Sequence, residues 1–141
     1  MFSEFGVSVN LLAVAVAAVF NMAIGFVWYS MSVFGKPWMK MLGLTKDDLE
    51  KAKGEMGPKY GIMVVASLVM ACVLAGIIQL AGSNTVFGGA KVGFAVWLGF
   101  VATIGLNSYI FEKKPLNLYF INVGYYLVAL VVQGAILAMM G

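Results

Sequence analysis

Residues 9 to 31 read VNLLAVAVAAVFNMAIGFVWYSM, a run without a single charged side chain. The hydrocarbon core of a bilayer is about 30 Å thick and an α-helix rises about 1.5 Å per residue, so about 20 apolar residues span it. Backbone N–H and C=O groups in hydrocarbon must be satisfied inside the segment, which makes such a run a transmembrane helix. Three more charge-free runs follow at 60–81, 92–111 and 118–140. None alternates with period two, so a barrel is excluded. The expected fold is an all-α membrane protein: one four-helix transmembrane domain over residues 1–141, with a long loop at 32–59. The first run is not a secretory signal, because Glu4 and no Lys or Arg precedes it and it runs well past a normal signal core.

Composition agrees. The chain of 141 residues is 62% hydrophobic and 11% charged, with a mean hydropathy of +0.97, whereas soluble domains are about half apolar and a quarter charged. Histidine and arginine are absent, which removes the usual general base, metal ligand and phosphate fork. Cys72 stands alone, so neither an intrachain disulfide nor a Cys–His zinc site can be assembled. No cofactor or metal is expected, and no enzyme. The net charge of +3 does not indicate nucleic acid, because most lysines flank apolar runs, where they contact anionic lipid head groups.

Those lysines set an orientation. Lys36, Lys40, Lys46, Lys51, Lys53 and Lys59 occupy the first loop and Lys113 and Lys114 the third, against Lys91 alone on the other side. The positive-inside rule places both loops in the cytoplasm and both termini outside. Trp28, Tyr29, Trp38, Tyr60, Tyr109 and Tyr119 cluster at the same interface, the depth amphipathic rings favour. Within the long loop, Thr45 and Asp48 have capping-box spacing, Leu44 and Leu49 that of a hydrophobic staple, and Gly54 suits a C-cap, which predicts a short helix from Lys46 to about Lys53 ending before Gly57-Pro58. The loop is either a docking site for a cytoplasmic partner or a solvated connector.

An internal duplication is written weakly into the chain. Offset by 59, the second run matches the fourth at Tyr60/Tyr119, Ile62/Ile121, Val64/Val123 and Leu68/Leu127; offset by 80, the first matches the third at Phe20/Phe100, Ile24/Ile104, Gly25/Gly105 and Tyr29/Tyr109. These registers read as two parallel two-helix repeats. Steps of about 100° per residue give each helix a small or polar face: Asn10, Ala17, Asn21 and Trp28 on the first; Cys72, Ala75, Gly76 and Gln79 on the second; Ala95, Gly99, Thr103 and Asn107 on the third; Asn122, Tyr126, Ala129 and Gln133 on the fourth.

Two readings of those faces differ in function. As packing surfaces they let helices approach closely and bond to one another, and the chain is then a non-enzymatic, self-associating or accessory membrane protein that forms a homo-oligomer. Alternatively Asn21, Thr103, Asn107, Asn122, Tyr126 and Gln133 converge on a polar cavity, and the chain is a small-solute channel or transporter. No carboxylate or lysine lies within a run, Glu112 and Lys91 standing only at the ends, so an ion or proton pathway is disfavoured.

The pattern of Asn10, then Gly25-Phe26-Val27-Trp28-Tyr29-Ser30, then Phe34-Gly35-Lys36-Pro37-Trp38 resembles the bacterial integral-membrane family known as domain of unknown function 1761. The resemblance spans nearly the whole chain. It implies a small four-helix protein of the bacterial inner membrane and carries over no functional residue.

Overall fold

The structure is a computed structural model that describes residues 8–54 and 56–141; Glu4 lies outside the described residues. All regular structure among them is helical: α1 (Leu11–Trp28), α2 (Gly35–Leu42), α3 (Lys46–Gly54), α4 (Met56–Ala81), α5 (Val86–Val96), α6 (Ala102–Ile110) and α7 (Leu116–Met140). A wide π turn at Trp97–Val101 joins α5 and α6 into one span. Four helices are therefore long and apolar enough to cross a membrane: α1, α4, α5–α6 and α7.

Each end of α1 has an identifiable cause. The Asn10 carboxamide oxygen accepts from the backbone N–H of Leu12 at 3.0 Å and Ala13 at 3.3 Å, capping the helix. Its Nδ2 donates to the Met140 carbonyl at 3.0 Å, which ties the start of α1 to the end of α7. At the far end Trp28 Nε1 donates to the Ile121 carbonyl at 2.8 Å, so the two helices are antiparallel over their full length.

The long loop is more structured than the sequence suggests. The predicted capping box is present: Thr45 N–H donates to Asp48 Oδ2 at 2.9 Å, and Asp48 N–H donates to Thr45 Oγ1 at 3.2 Å. The Thr45 N–H first, and then the Thr45 hydroxyl, hold the Asp48 carboxyl below its ordinary value. Two corrections apply. A second helix, α2, forms at Gly35–Leu42 and ends on Gly43 at φ +70°, the left-handed cap that glycine adopts freely. And α4 begins at Met56, not Tyr60, because Pro58 falls in its first turn, where a missing N–H has no intrahelical acceptor to lose.

Packing is closest between α5 and α7. A Cβ at Gly89 would collide with the Gly134 carbonyl oxygen, one at Gly93 with that of Leu130, and one at Gly134 with that of Gly89. Only glycine permits this approach, the small-residue contact expected where lipid offers no hydrophobic drive. Around it lies the apolar core of Ala13, Val14, Ala17, Ala71, Leu74, Ala75, Ile78, Leu130, Leu137 and Ala138. Every one of these residues belongs to the half of the bundle that carries the start of α1 and the end of α7.

Candidate functional site

The other half, where the lysine-bearing loops emerge, is built differently. From Tyr60 to Ala66 every residue of α4 is exposed, and Ser67 is the first buried residue after them. Between this first part of α4 and helices α1, α2 and α7 lies a cavity of about 700 Å³, within the range of small-molecule sites.

Hydrogen bonds frame it. Asn21, one side of the cavity, is 5% exposed; its Nδ2 donates to Ser67 Oγ of α4 at 2.8 Å, and its Oδ1 accepts from the Tyr125 hydroxyl of α7 at 2.7 Å. One carboxamide thus joins three helices. Tyr29 donates to Asn122 Oδ1 at 2.8 Å, and Asn122 lines the cavity. Aromatic rings close the lysine-rich end: Tyr29 lies 5.4 Å from Trp38 and 5.7 Å from Tyr125, centroid to centroid. Trp38 and Leu42 of α2 line the cavity, while Lys36 and Lys40, also four residues apart, are exposed. Helix α2 therefore lays an apolar face over the cavity and turns its charges outward, the arrangement of an interfacial helix.

A smaller cavity of about 440 Å³ lies beside the first, between the α5–α6 span and α7. Met70, Asn122 and Tyr126 line both. No lining residue of either is charged.

Of the six residues expected to converge, Asn21, Asn122 and Tyr126 do so. Gln133 is fully buried in the tightly packed half, where its Nε2 makes a 3.7 Å contact with Met70 Sδ and its Oε1 has no partner. Thr103 and Asn107 are exposed on the outside of the bundle, and Thr103 donates back to its own helix at Gly99 and Phe100. The π turn accounts for this. At about 100° per residue, the twelve steps from Gly93 to Gly105 would set them about 120° apart, whereas one residue absorbed by a wide turn brings them within about 20°. Gly93 and Gly105 accordingly both face α7, where an added Cβ on Gly105 would lie 2.9 Å from Val123, and Trp97 between them donates from Nε1 to the Val123 carbonyl at 2.7 Å. The face of Ala95, Gly99, Thr103 and Asn107 is left outside.

Ser67, Tyr125, Trp38 and Leu42 were not among the expected site residues. Ser67 carried a signal, as the one aliphatic hydroxyl within the second apolar run. Tyr125 carried none that separates it from Tyr126.

The model of a family described as protein of unknown function (DUF1761) matches residues 12–138. No curated protein and no solved structure matches the chain.

Proposed function

We propose, from the premise that the chain belongs to the DUF1761 family, that this multi-pass membrane protein binds a small uncharged solute in the cavity between α1, α2, α4 and α7. The observation that carries the reading is that Asn21, Ser67 and Asn122 border about 700 Å³ of space where dry packing was the alternative. The lining offers amide and hydroxyl groups but no charge, so it suits a neutral ligand; a buried unpaired ion would cost several kcal/mol or more. No lining group is a carboxylate, amine or imidazole, and the reading is non-enzymatic. Beyond the cavity the bundle is closed by its glycine and alanine core, which supports a binding protein or an alternating carrier over an open channel.

In this proposal the chain lies in the bacterial inner membrane with its lysine-rich end in the cytoplasm, and α1–α4 and α5–α7 descend from one duplicated two-helix unit. The orientation is tested by labelling Glu50→Cys in a Cys72→Ala background, which reacts from the cytoplasmic side alone. The cavity is tested by Ser67→Cys in the same background. A small neutral thiol reagent that needs a hydrated thiolate modifies this position at a rate at least tenfold above Ala71→Cys, a fully buried control. Equal resistance at both positions sinks the reading.

A second reading, a self-associating protein, has its own support. Ala95, Gly99, Thr103 and Asn107 form an outward face on the least buried of the four spans, 11% buried against 44% for α7. A second copy meeting this face would cover it, with Thr103→Cys forming a disulfide-linked dimer on mild oxidation in the Cys72→Ala background. The exposed loop helices would then be the surface offered to a cytoplasmic partner.

A further inference from the structure

The two cavities differ in chemistry and share a wall. The larger is bordered by the bonded set of Asn21, Ser67, Asn122 and Tyr125; the smaller is lined mainly by Phe100, Val101, Ile104, Tyr119 and Val123. Asn122, Tyr126 and Met70 stand at the junction.

We propose that they are the head and tail chambers of a single site, and that its occupant is a neutral single-chain amphiphile, with a hydroxylated or amide head and one hydrocarbon chain. This deepens the solute-cavity reading and rests on it. The head belongs in the larger chamber, whose lining by Asn122 and Tyr126 brings an amide and a hydroxyl beside aromatic surface. The chain belongs in the smaller, which Phe100, Val101, Ile104 and Gly105 line on the α5–α6 side, with Ser108 the one polar residue there. A phosphate, carboxylate or ammonium head has no counter-charge among the lining residues and would be desolvated without compensation.

Access supports the same ligand class. The stretch of α4 from Tyr60 to Ala66 is exposed, so the space beside it opens sideways between helices toward lipid, and a ligand dissolved in the bilayer enters without crossing water. Met70 is the movable part of the junction. Its unbranched thioether side chain has several rotatable bonds and adapts to a chain threading past it. The closed glycine core above stops passage to the other face, so the ligand enters and leaves from the side.

The experiment uses the full chain in nanodiscs of diacyl phosphatidylcholine, a two-chain zwitterionic lipid outside the proposed class, titrated with 1-monooleoylglycerol, with glycerol, and with an oleoyl lysophosphatidylglycerol of the same chain and an anionic head. Retention is read by native mass spectrometry and by the shift in Tm. One monooleoylglycerol is retained per chain and raises Tm; glycerol and the anionic lipid are not retained. Asn122→Leu weakens retention at least tenfold. Ile104→Trp, at a 64% exposed position that borders the tail chamber, weakens it similarly, whereas Ile104→Ala, which enlarges that chamber, keeps it and shows that the Trp effect is not misfolding. Glycerol bound as well as the monoacylglycerol, with Ile104→Trp silent, overturns the tail chamber and leaves the solute cavity standing. Equal binding of the anionic lipid overturns the neutral head. Failure of all three probes overturns the amphiphile, and the Ser67→Cys labelling, which uses none of them, then decides the cavity separately.

Discussion

The two halves of this bundle are made from the same four spans yet hold together by different means. Toward the start of α1 and the end of α7, glycine and alanine bring backbones into contact, and among the described residues Gln133 is the one buried polar side chain there. Toward the lysine-rich loops, Tyr and Trp side chains reach across instead: Trp28 to the Ile121 carbonyl, Trp97 to Val123, and Tyr119 to Ala102 at 2.6 Å. Small residues let helices close, whereas large rings with a polar tip prop them apart and leave space. Helix α7 takes part in both modes, through Leu130–Ala138 in one and Leu118–Tyr126 in the other. The comparison teaches that a cavity in a small membrane bundle arises where side-chain bonds replace backbone approach.

The largest effect that tests this comparison comes from the closed half. Gly93→Leu places a side chain against the Leu130 backbone, and no rotamer relieves a clash with main chain. A loss of about 3 kcal/mol or more is expected, the upper range of overpacking, read as unfolding at lower SDS fraction in mixed micelles. If Gly93→Leu unfolds like wild type, the backbone approach is not what closes this half.

In the open half, Asn21→Leu removes the carboxamide that joins α1, α4 and α7. The Tyr125 hydroxyl keeps an acceptor in the Asn21 backbone carbonyl at 3.1 Å, and hydrogen bonds within membranes average about 0.6 kcal/mol, so a loss of about 1 kcal/mol is expected. Ligand retention falls with it. A loss as large as that of Gly93→Leu would mean that both halves are held alike.

Gln133→Leu should act in the opposite direction. Whichever way its amide is turned, one polar atom lacks a proper partner and the other meets only a thioether. An apolar replacement of similar volume removes that cost and stabilises by about 1 kcal/mol, seen as a raised Tm. Destabilisation would show that the amide is satisfied in the membrane by a group that joins it there.

Much of this was legible beforehand. Charge-free runs of membrane length located four spans, because hydrocarbon tolerates no other backbone solution, though the third begins at Val86, before the expected Val92 and with Lys91 in its first turns. The Thr45–Asp48 spacing announced α3, since capping is local chemistry. Asn21, Asn122 and Tyr126 came from helical periodicity, which holds while a helix stays regular. What periodicity could not carry was the third span, where one π turn rotates Thr103 and Asn107 away from α7. Helix α2 was hidden for another reason: Gly35 and Pro37 read as loop residues, though glycine is required where the chain folds back at the Ser30 carbonyl, 2.8 Å from the Gly35 N–H, and proline is harmless in a first turn. The cavity itself is a property of how far α4 stands off α7, which no local pattern encodes.

The smallest effect concerns α3, which buries nothing and so extends the contrast to a helix held by local bonds alone. Asp48 accepts the Thr45 N–H as a carboxylate, and that bond lowers its folded pKa below the unfolded value. For a depressed acid, the stabilisation is fully present above the unfolded value, near the ordinary carboxylate range of about 4, and is lost as pH falls through the lower folded value. Hydrogen-exchange protection of the α3 amides should therefore be flat at neutral pH and decline only under acid, while that of α5 and α7, fixed by glycine contacts, does not follow it. Asp48→Asn should abolish the decline, because an amide does not titrate there, and Thr45→Ala should reduce protection at neutral pH by removing the Oγ1 acceptor of the Asp48 N–H. If α3 and α7 instead lose protection together over the same acid range, α3 is coupled to the bundle, and the division between locally bonded and backbone-packed regions fails at its simplest point.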